Sequence, residues 1–455
     1  MNRELFGRIP GGAAGAGSGR PGGWPRALLF ASGDFACNLY WQSISLYLLF
    51  YYTEVVGLAP EAAGLVYLAG SLWDGVAGLL VGIVADRPGP GRPRLQAWMV
   101  LGSVPLALSF LLLYWAPPLR GAALVAAALF AHLLFRTLYA MVNVPYAALS
   151  VQVAASGAER SRIAGLRMIF GAAAAALVAT ATQRIASLVT GRVDGAGGFF
   201  AAAALFAAIA TALLILVGLR VRPRGQAAAH ASAGIGTALR SIGRNRAFLI
   251  LNLAMFAAVV GITMVTKGTL YYFKYRIGHE GAAGGALALM GVAGVLFVPL
   301  WMAVAARWGA RAQWFATIGC GAAALLGFAL ADVASVRAMT IFLICFQAAI
   351  TGFSFGFWAM LPDTVEHGER ASGVRVQVLL FGLAALLQKF ALGLAATLVG
   401  LFLGLAGYVA NIPQGPQALA SLTRSMTLVP LIALGLSGLA MAFHPGAVVE
   451  APEAG

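Results

Sequence analysis

Apolar stretches of 19 to 32 residues alternate along this chain with short segments rich in glycine, proline and arginine. About 20 apolar residues are enough for a helix to cross the hydrocarbon core of a bilayer. The pattern therefore predicts an all-α integral membrane protein with twelve transmembrane helices. The predicted spans are 26–52, 60–85, 95–115, 121–150, 163–189, 199–219, 247–275, 282–306, 313–331, 338–362, 374–405 and 418–443.

The composition of the chain indicates the same class of protein. Of its 455 residues, 61% are hydrophobic and 10% are charged, whereas soluble domains carry about 25% charged residues. A soluble chain of this length has no means of hiding so much apolar surface. A soluble enzyme, a disordered protein and a nucleic-acid-binding protein are therefore excluded. The three cysteines show no CxxC or Cys/His spacing, so neither a disulfide framework nor a zinc site is expected.

The distribution of basic residues predicts the orientation in the membrane. Nineteen lysines and arginines fall in segments on the side of the termini and five on the other side, so both termini are predicted to be cytoplasmic. Arginine outnumbers lysine 27 to 3, which is typical of a GC-rich bacterial gene and favours a bacterial inner membrane. The predicted organisation is a cytoplasmic tail (1–25), a six-helix bundle (26–219), a cytoplasmic loop (220–246), a second six-helix bundle (247–443) and a cytoplasmic tail (444–455).

The two halves of the sequence repeat one another. The pair Tyr51-Tyr52 recurs 220 residues later as Tyr271-Tyr272, and segment 84–89 (VADRPG) recurs at the same offset as 304–309 (VAARWG). A third pair of segments shares Glu-Arg and Phe-Gly at offsets of 210 and 211. Six helices separate the copies, so the repeats have the same orientation, as in secondary transporters whose halves face each other across a cavity.

Several motifs resemble known transporter families. The loop Asp86-Arg87-x-Gly89-x-x-Arg92 is similar to the signature between helices two and three of the major facilitator superfamily. Five stretches resemble the glycoside–pentoside–hexuronide:cation symporter family, to which melibiose permeases belong. They are GDF at 33–35, LFYYTEVVGL at 49–58, Trp73-Asp74, DxVExGE at 363–369 with Arg375, and Lys389. The resemblance implies the major facilitator (MFS) fold, with twelve helices in two six-helix halves, and cation-coupled transport of sugar-like solutes.

Polar residues inside the predicted spans are candidates for a solute site, because a charge at the bilayer centre costs about 2.5–3.5 kcal/mol on insertion scales. Three of them share a face of the first helix, two share a face of the fourth, and one ends a polar stripe on the tenth. By resemblance, Asp34 accepts sugar hydroxyls and Arg167 lies near the ligand. The predicted substrate-binding residues are Asp34, Asn38, Trp41, Arg136, Asn143, Arg167 and Trp358.

Asp74 is the predicted proton-coupling residue. It shares a helix face with three glycines, at 70, 78 and 82, which let another helix approach closely. A carboxyl group held in such a dry seam suits proton carriage. By resemblance, Lys389 pairs with the acids of this helix, and a pair between Lys389 and Asp74 would couple the loaded proton to helix packing.

The sequence departs from the sodium-using members of the family that it resembles. Those members have a second Asp where this chain has Gly78, and polar neighbours where it has Ala77 and Ala140. A Na⁺ ion needs several oxygen ligands, and one carboxylate beside two alanines supplies too few. H⁺ is therefore the predicted coupling ion, and neither a metal nor a cofactor is expected. Uncoupled facilitation stays open.

Charged residues at the cytoplasmic helix ends are predicted to form an inner gate, as the resemblance also implies. Ion pairs between the halves would close this side and break when it opens. The predicted gate residues are Asp86, Arg87, Arg160, Arg307, Asp363, Glu366 and Arg375. Among the other candidates, His132 is predicted to be a hydrogen-bonded structural residue, and Lys267 is predicted to extend its ammonium group to the membrane surface.

The predicted function is alternating-access transport of a small polar solute, a sugar or glycoside, together with a proton. The alternatives are a carrier or uncoupled facilitator for a carboxylated sugar, another organic anion or an amphiphilic lipid. A membrane enzyme is disfavoured because no HExxH, DxD or Walker-type motif occurs, and a channel because no filter-like repeat is visible. The expected partners are the solute and the lipid bilayer, with no nucleic acid, and a single chain is expected to function as a monomer.

Overall fold

The computed structural model describes residues 23–86, 95–153, 157–222, 235–331, 333–372 and 377–445. These residues form helices and connecting turns, and no strand occurs among them. The α-helices are α1 (Gly23–Ser43), α2 (Pro60–Asp86), α3 (Leu95–Leu113), α4 (Gly121–Val153), α5 (Gly157–Thr190), α6 (Ala196–Arg220), α7 (Ile235–Arg244), α8 (Arg246–Tyr272), α9 (Ala283–Leu330), α10 (Val336–Ser372), α11 (Gln377–Leu405) and α12 (Pro416–Ala442).

The described helices are compatible with twelve membrane crossings. Ten of them are long and apolar enough to span a bilayer. Helix α9 counts twice, because its 48 residues bend at Gly309, which has a left-handed φ of 83°. Before the bend, α9 runs parallel to α10. After the bend, α9 runs antiparallel to α10, so that Gly321 lies near Ala349. Helix α1 adds a crossing, because π-helical turns prolong it to Val55.

Three local predictions differ from the structure. The tenth span does not end at residue 362, since α10 continues to Ser372 and carries Asp363 and Glu366 on a helix. The polar stretch 220–246 contains the short helix α7, which buries Ile242. The glycine stripe around Asp74 does not pack against another backbone: Gly70 instead faces the His132 side chain.

The helices form two groups that meet along a seam. Helices α1 to α6 pack on one another, α8 to α12 pack on one another, and the groups touch mainly through α2 against α11 and α5 against α9. Both repeated tyrosine pairs, at 51–52 and 271–272, are buried in the protein. A π-helical segment lies at the same place in each half, Tyr51–Val55 and Phe273–Ile277. The sequence repeat is therefore accompanied by a structural one.

The seam between α2 and α11 is tight at one end and open at the other. Here the inner end is the end of the bundle where the described part of the chain begins, at Gly23, and stops, at residue 445, and the outer end is the opposite one. Near the outer end, a side-chain carbon built on Gly64 would lie 2.7 Å from Cα of Thr397. Towards the inner end, carbons built on Gly82 and Gly382 would meet no described heavy atom within 4 Å. The structure is therefore closed at its outer end and separated at its inner end.

We expect Gly64→Ala to destabilise the protein, because the added methyl group would press on the backbone of α11, which cannot rotate away. Overpacking of this kind costs roughly 1–3 kcal/mol. The matched control is Gly82→Ala on the same helix, where space is free. Thermal unfolding in detergent, followed by tryptophan fluorescence, should show a lower midpoint for Gly64→Ala alone. Equal midpoints for the two variants would contradict the tight seam.

Candidate functional site

A cavity of about 260 Å³ lies where α2 and α11 separate. Both halves of the protein contribute to its wall. The lining residues are Trp41, Asp74, Gly78, Tyr139, Ala140, Asn143, Val144 and Lys389. Four residues that the sequence analysis singled out, Trp41, Asp74, Asn143 and Lys389, are thus brought together around one space.

Asp74 carries the central ion pair of this cavity. Its side chain is 2% exposed, and its Oδ2 lies 2.7 Å from Nζ of Lys389 on α11 and 3.6 Å from Nη1 of Arg136 on α4. Gly78, one helical turn away, leaves room for the ammonium group, which lies 3.9 Å from a carbon built there. The pair between Asp74 and Lys389 that the resemblance implied is therefore present, and Arg136 shares the same oxygen.

Arg136 is held from three directions. Its Nε donates a hydrogen bond to Nε2 of His132 at 3.2 Å, and its guanidinium group lies 5.3 Å from the centre of the Trp41 ring. Because Nε2 accepts this bond, the proton of the neutral imidazole is assigned to Nδ1. His132 is fully buried. The predicted hydrogen bond of His132 is present, and its structural role stays a prediction.

Asp34 belongs to a second polar cluster, on α1 and α5. Both Nη2 and Nε of Arg167 contact its Oδ1, at 2.9 and 3.0 Å, and Nδ2 of Asn38 donates to its Oδ2 at 3.1 Å. The guanidinium group of Arg167 lies 5.4 Å from the centre of the Tyr146 ring. Arg167 stays 31% exposed. This cluster offers partly accessible donors, whereas the carboxylate of Asp34 is already occupied by protein groups.

The remaining predicted site residues do not join these clusters. Trp358 is half exposed and stacks on Phe381 with a ring separation of 6.3 Å. Glu366 pairs at 3.7 Å with Arg370 on its own helix. Arg307 is exposed and lies over Trp308, and Asp363 is also exposed. Two predicted gate residues lie outside the described part of the chain, Arg87 and Arg375. The structure also does not describe the side chains of Asp86 and Arg160.

The positions that hold polar residues in sodium-using proteins of the resembled family are apolar here. Ala77 and Ala140 are buried and pack with Val81 in one small cluster. Among the described residues, no group of three or more His, Cys, Asp or Glu side chains forms a metal site. The side chains of these two alanines therefore supply no oxygen ligand.

Sequence reasoning missed an ion network at the outer end. Nζ of Lys274 lies 2.8 Å from Oε2 of Glu54 and 2.9 Å from Oδ2 of Asp194, and it also contacts the side chain of Asn411. The side chain of Glu54 is fully buried. Glu54 and Lys274 are 220 residues apart, which is the offset of the internal repeat. Opposite charges at equivalent positions of the two halves were the feature that would have revealed this network.

Asp194 lies in the turn between α5 and α6, outside the membrane-spanning helices. Burial by itself raises the pKa of its carboxyl group. The hydrogen bonds from Arg192 and Lys274 and their positive charges together outweigh burial, so the pKa lies below its usual value. Asp194 is therefore charged at neutral pH. Its contribution to stability is lost only as the pH falls through this lowered pKa.

Lys267 contradicts the prediction that it reaches the membrane surface. It is 3% exposed, and its ammonium group contacts the backbone carbonyls of Ile44 and Ser45 and the hydroxyl of Tyr67, the last at 3.0 Å. The π-helical turn Ile44–Leu48 presents these carbonyls. Because Lys267 lies on α8 and its partners lie on the first half, it joins the two halves.

A membrane-spanning bundle of two helix groups, with a polar cavity at their interface that is closed at one end, is the architecture of a secondary transporter. The model of the family described as MFS/sugar transport protein matches residues 29–445. The chain belongs to this family, and its relatives are symporters of the glycoside–pentoside–hexuronide type. It is therefore a multi-pass bacterial membrane transporter and not an enzyme.

Individual relatives are similar over nearly the whole chain. The isoprimeverose transporter of Lactiplantibacillus pentosus is 27% identical, over 92% of this chain and 88% of its own length. The glucuronide carrier protein homolog of Escherichia coli (strain K12) is 25% identical, over 93% and 92%. The putative sulfoquinovose importer of Salmonella typhimurium is 24% identical, over 91% and 88%.

Solved structures support the fold. The nucleoside transporter NupG has a TM-score of 0.67 at 15% identity, covering 92% of this chain and 97% of its own. An inward-facing, unoccupied bacterial homolog of the human lysosomal transporter Spinster has a TM-score of 0.66 at 15% identity, covering 94% and 97%.

We expect Lys274→Met to open the outer end. The substitution removes the cation that Glu54 and Asp194 share, and an uncompensated buried charge costs about 3–5 kcal/mol. The measurement is labelling of a cysteine at the buried position Thr53 by an impermeant maleimide, after the three native cysteines are replaced by serine. Labelling should be faster by at least about tenfold, because a loss of only about 1.4 kcal/mol already changes an equilibrium tenfold.

The matched control for this experiment is Arg192→Met, because the Arg192 side chain is 68% exposed and contacts only the Asp194 carboxylate of the network. Exposed ion pairs contribute little, so labelling of the cysteine at position 53 should change little in this variant. Unchanged labelling in Lys274→Met would show that the network does not hold the outer end closed.

Proposed function

We propose that this protein is a proton-coupled symporter that carries a sugar or glycoside by alternating access. The proposal depends on one observation, the cavity of about 260 Å³ that lies between α2 and α11. The helices that enclose it are in contact at the outer end and apart at the inner end. A solute in this cavity would reach one side of the membrane at a time, which is the condition for a carrier.

The orientation follows from the distribution of basic residues. With both termini in the cytoplasm, the closed end faces outward and the conformation is inward-facing. Two of the predicted gate residues, Asp363 and Glu366, lie near the open end, and among the described residues Glu366 forms an ion pair with Arg370 of its own helix. In the outward-facing state, Glu366 and Asp363 would pair with Arg160 of the other half and close the inner end.

The solute is proposed from the chemistry of the cavity and from the relatives. Trp41 supplies a flat apolar face, Asn143 supplies an amide that can donate and accept hydrogen bonds, and Arg167 has donors accessible near Asp34. Such a set suits a hydroxylated ring. The relatives named above are a transporter of isoprimeverose and a carrier protein homolog for glucuronide, which supports a sugar derivative. One chain encloses the cavity, so it would function as a monomer.

Coupling to H⁺ through Asp74 is supported by two features. The Asp74 carboxylate pairs across the seam with Lys389, so protonation of Asp74 would weaken a contact between the two halves and link proton loading to helix movement. The apolar residues Ala77 and Ala140 stand where sodium-using proteins of the resembled family have polar residues. A proton needs one titratable group, and Asp74 is that group.

We expect Asp74→Asn to abolish accumulation driven by a pH gradient while sparing exchange of solute across the membrane, because Asn keeps the shape of the side chain and cannot carry the proton. The measurement is uptake and exchange of a panel of radiolabelled sugars in proteoliposomes under an imposed pH or Na⁺ gradient. The matched control is Glu61→Gln, which removes a carboxylate at the outer end of the same helix and should leave pH-driven accumulation intact.

Each other outcome rejects a defined part of this proposal. Accumulation driven by a Na⁺ gradient alone would reject proton coupling. Unchanged pH-driven accumulation in Asp74→Asn would make Asp74 structural. Exchange without any accumulation in the wild type would make the protein an uncoupled facilitator, and absence of sugar movement would reject the sugar substrate.

A further inference from the structure

A row of buried side chains leads from the cavity towards the outer end. It begins at Asp74, continues through Arg136 and His132 on α4 and Tyr67 on α2, and ends at Lys267 of the second half. We propose that His132 is a positioning residue for coupling, which transmits the charge of Asp74 along this buried row to the contact that Lys267 makes between the halves. The inference rests on the proposed proton coupling and goes beyond it, because it assigns the route by which the proton controls the outer end.

Each step of the buried row is a short-range contact. Nη1 of Arg136 lies 3.6 Å from Oδ2 of Asp74, and Nε of Arg136 donates a hydrogen bond to Nε2 of His132 at 3.2 Å. The rings of His132 and Tyr67 meet edge to face with centres 5.7 Å apart, and the Tyr67 hydroxyl lies 3.0 Å from Nζ of Lys267. All five residues are at most 3% exposed. Because water screens them only weakly, the charges in the row act strongly on one another.

Lys267 is the member of the buried row that responds to an added positive charge. Its described partners are all uncharged: the backbone carbonyls of Ile44 and Ser45 in the first half and the hydroxyl of Tyr67. Dipoles alone compensate this ammonium group, and a buried cation without a carboxylate partner is costly. A second uncompensated positive charge in the same region would therefore weaken the hold of Lys267 on the first half.

The protonation state of Asp74 decides whether Arg136 is such a second charge. Arg136 on α4 and Lys389 on α11 are the charged groups in contact with Asp74 among the described residues, and Tyr139 is the other titratable side chain beside it in the cavity. The ionised carboxylate offsets part of the charge of Arg136. After Asp74 takes up a proton, the hydrogen bond and the ring contact that Arg136 keeps are to uncharged partners.

His132 holds the buried row together at its middle. It accepts the hydrogen bond of Arg136, and its ring packs against the rings of Tyr67 and Tyr52, the latter with centres 6.2 Å apart. Gly70 on α2 leaves the space for the imidazole, since a side-chain carbon built there would lie 2.5 Å from the ring. His132 thus fixes the guanidinium group of Arg136 relative to Tyr67, which in turn contacts the ammonium group at the end of the row.

Protonation of Asp74 would therefore loosen the outer end. The positive charge of Arg136 would no longer be offset, and it would repel Lys267 across the two neutral rings between them. A carrier that has bound only a proton would then stay open to the outside until a solute binds. The same shift discourages a proton from crossing the membrane without solute.

The test measures opening of the outer end with and without the negative charge of Asp74. The reporter is Thr53→Cys, in protein whose three native cysteines are replaced by serine, labelled by a polar maleimide in detergent without solute. Asp74→Asn is uncharged, as the protonated acid is, and should raise the labelling rate by at least about fivefold, the lower end of common couplings between two sites. An unchanged or lower rate would overturn the inference.

The route is tested by combining Asp74→Asn with changes along the buried row. His132→Leu removes the acceptor of the Arg136 hydrogen bond, and Tyr67→Phe removes the hydroxyl that contacts Lys267. In either background, Asp74→Asn should change the labelling rate by less than about twofold. A merely structural role would alter the rate equally with Asp or Asn at position 74, and the ratio would not change. An undiminished ratio in His132→Leu would overturn the assignment to His132.

The matched control for the route is Tyr114→Phe. It removes one buried hydroxyl, as Tyr67→Phe does, but the partner of that hydroxyl is the carbonyl of Ser43, within the first half and outside the buried row. Asp74→Asn should raise the labelling rate as strongly in this background as in the wild type. Loss of the response here as well would show that it depends on general packing, and would overturn the inference.

Transport measurements separate failure of the inference from failure of the proposed function. If Asp74→Asn retains accumulation driven by a pH gradient, the proposed coupling fails and the inference fails with it. If Asp74→Asn abolishes accumulation but leaves the labelling rate unchanged, the proposed function holds and the inference alone fails. Should His132→Leu fail to fold, as its unfolding temperature would reveal, Tyr67→Phe, which loses a single oxygen atom, still decides whether the buried row carries the coupling.

Discussion

The whole arrangement depends on one carboxylate oxygen, Oδ2 of Asp74, which is placed between a lysine of one half and an arginine of the other. In hydrocarbon, a buried charge must find an opposite charge or a dipole within the protein. Asp74 finds Lys389 across the seam and Arg136 on a neighbouring helix. The same contact therefore makes the charges tolerable, joins the two halves and brings the cavity wall together. Any change in the charge of one member alters the contact between the halves.

The outer closure follows the same rule with different residues. Lys274 gathers Glu54 and Asp194 from the first half, and Lys267 binds backbone carbonyls at a π-helical turn of α1. Glu54 and Lys274 occupy equivalent positions of the repeat, so the internal duplication supplies the geometry and a change of charge sign supplies the attraction. At the outer end, the two halves are thus joined by an acid and a base at equivalent positions of the repeat.

The cavity wall beside Asp74 differs from that of the resembled sodium-using proteins. Where the resembled sodium-using proteins place polar ligands, Ala77 and Ala140 pack against Val81, and the space at Gly78 admits the ammonium group of Lys389. A tethered cation thus lies beside Asp74. Family membership accounts for the bundle, while these few side chains make up the cavity wall around Asp74.

The sequence by itself indicated the membrane-spanning helices and their repeat, because the bilayer requires each crossing to satisfy its own backbone hydrogen bonds within an apolar helix. It also indicated Asp74 and Lys389, since charges in apolar spans are rare and these two match a family motif. Only the tertiary structure decided that Arg136 shares Asp74, that Lys267 is buried and that Lys274 pairs with Glu54 and Asp194. Glu54 and Lys274 lie 220 residues apart in sequence and Ile44 and Lys267 lie 223 apart, and the packing of one helix group against the other brings these partners together. Asp74 and Arg136 meet through the packing of helices within the first group.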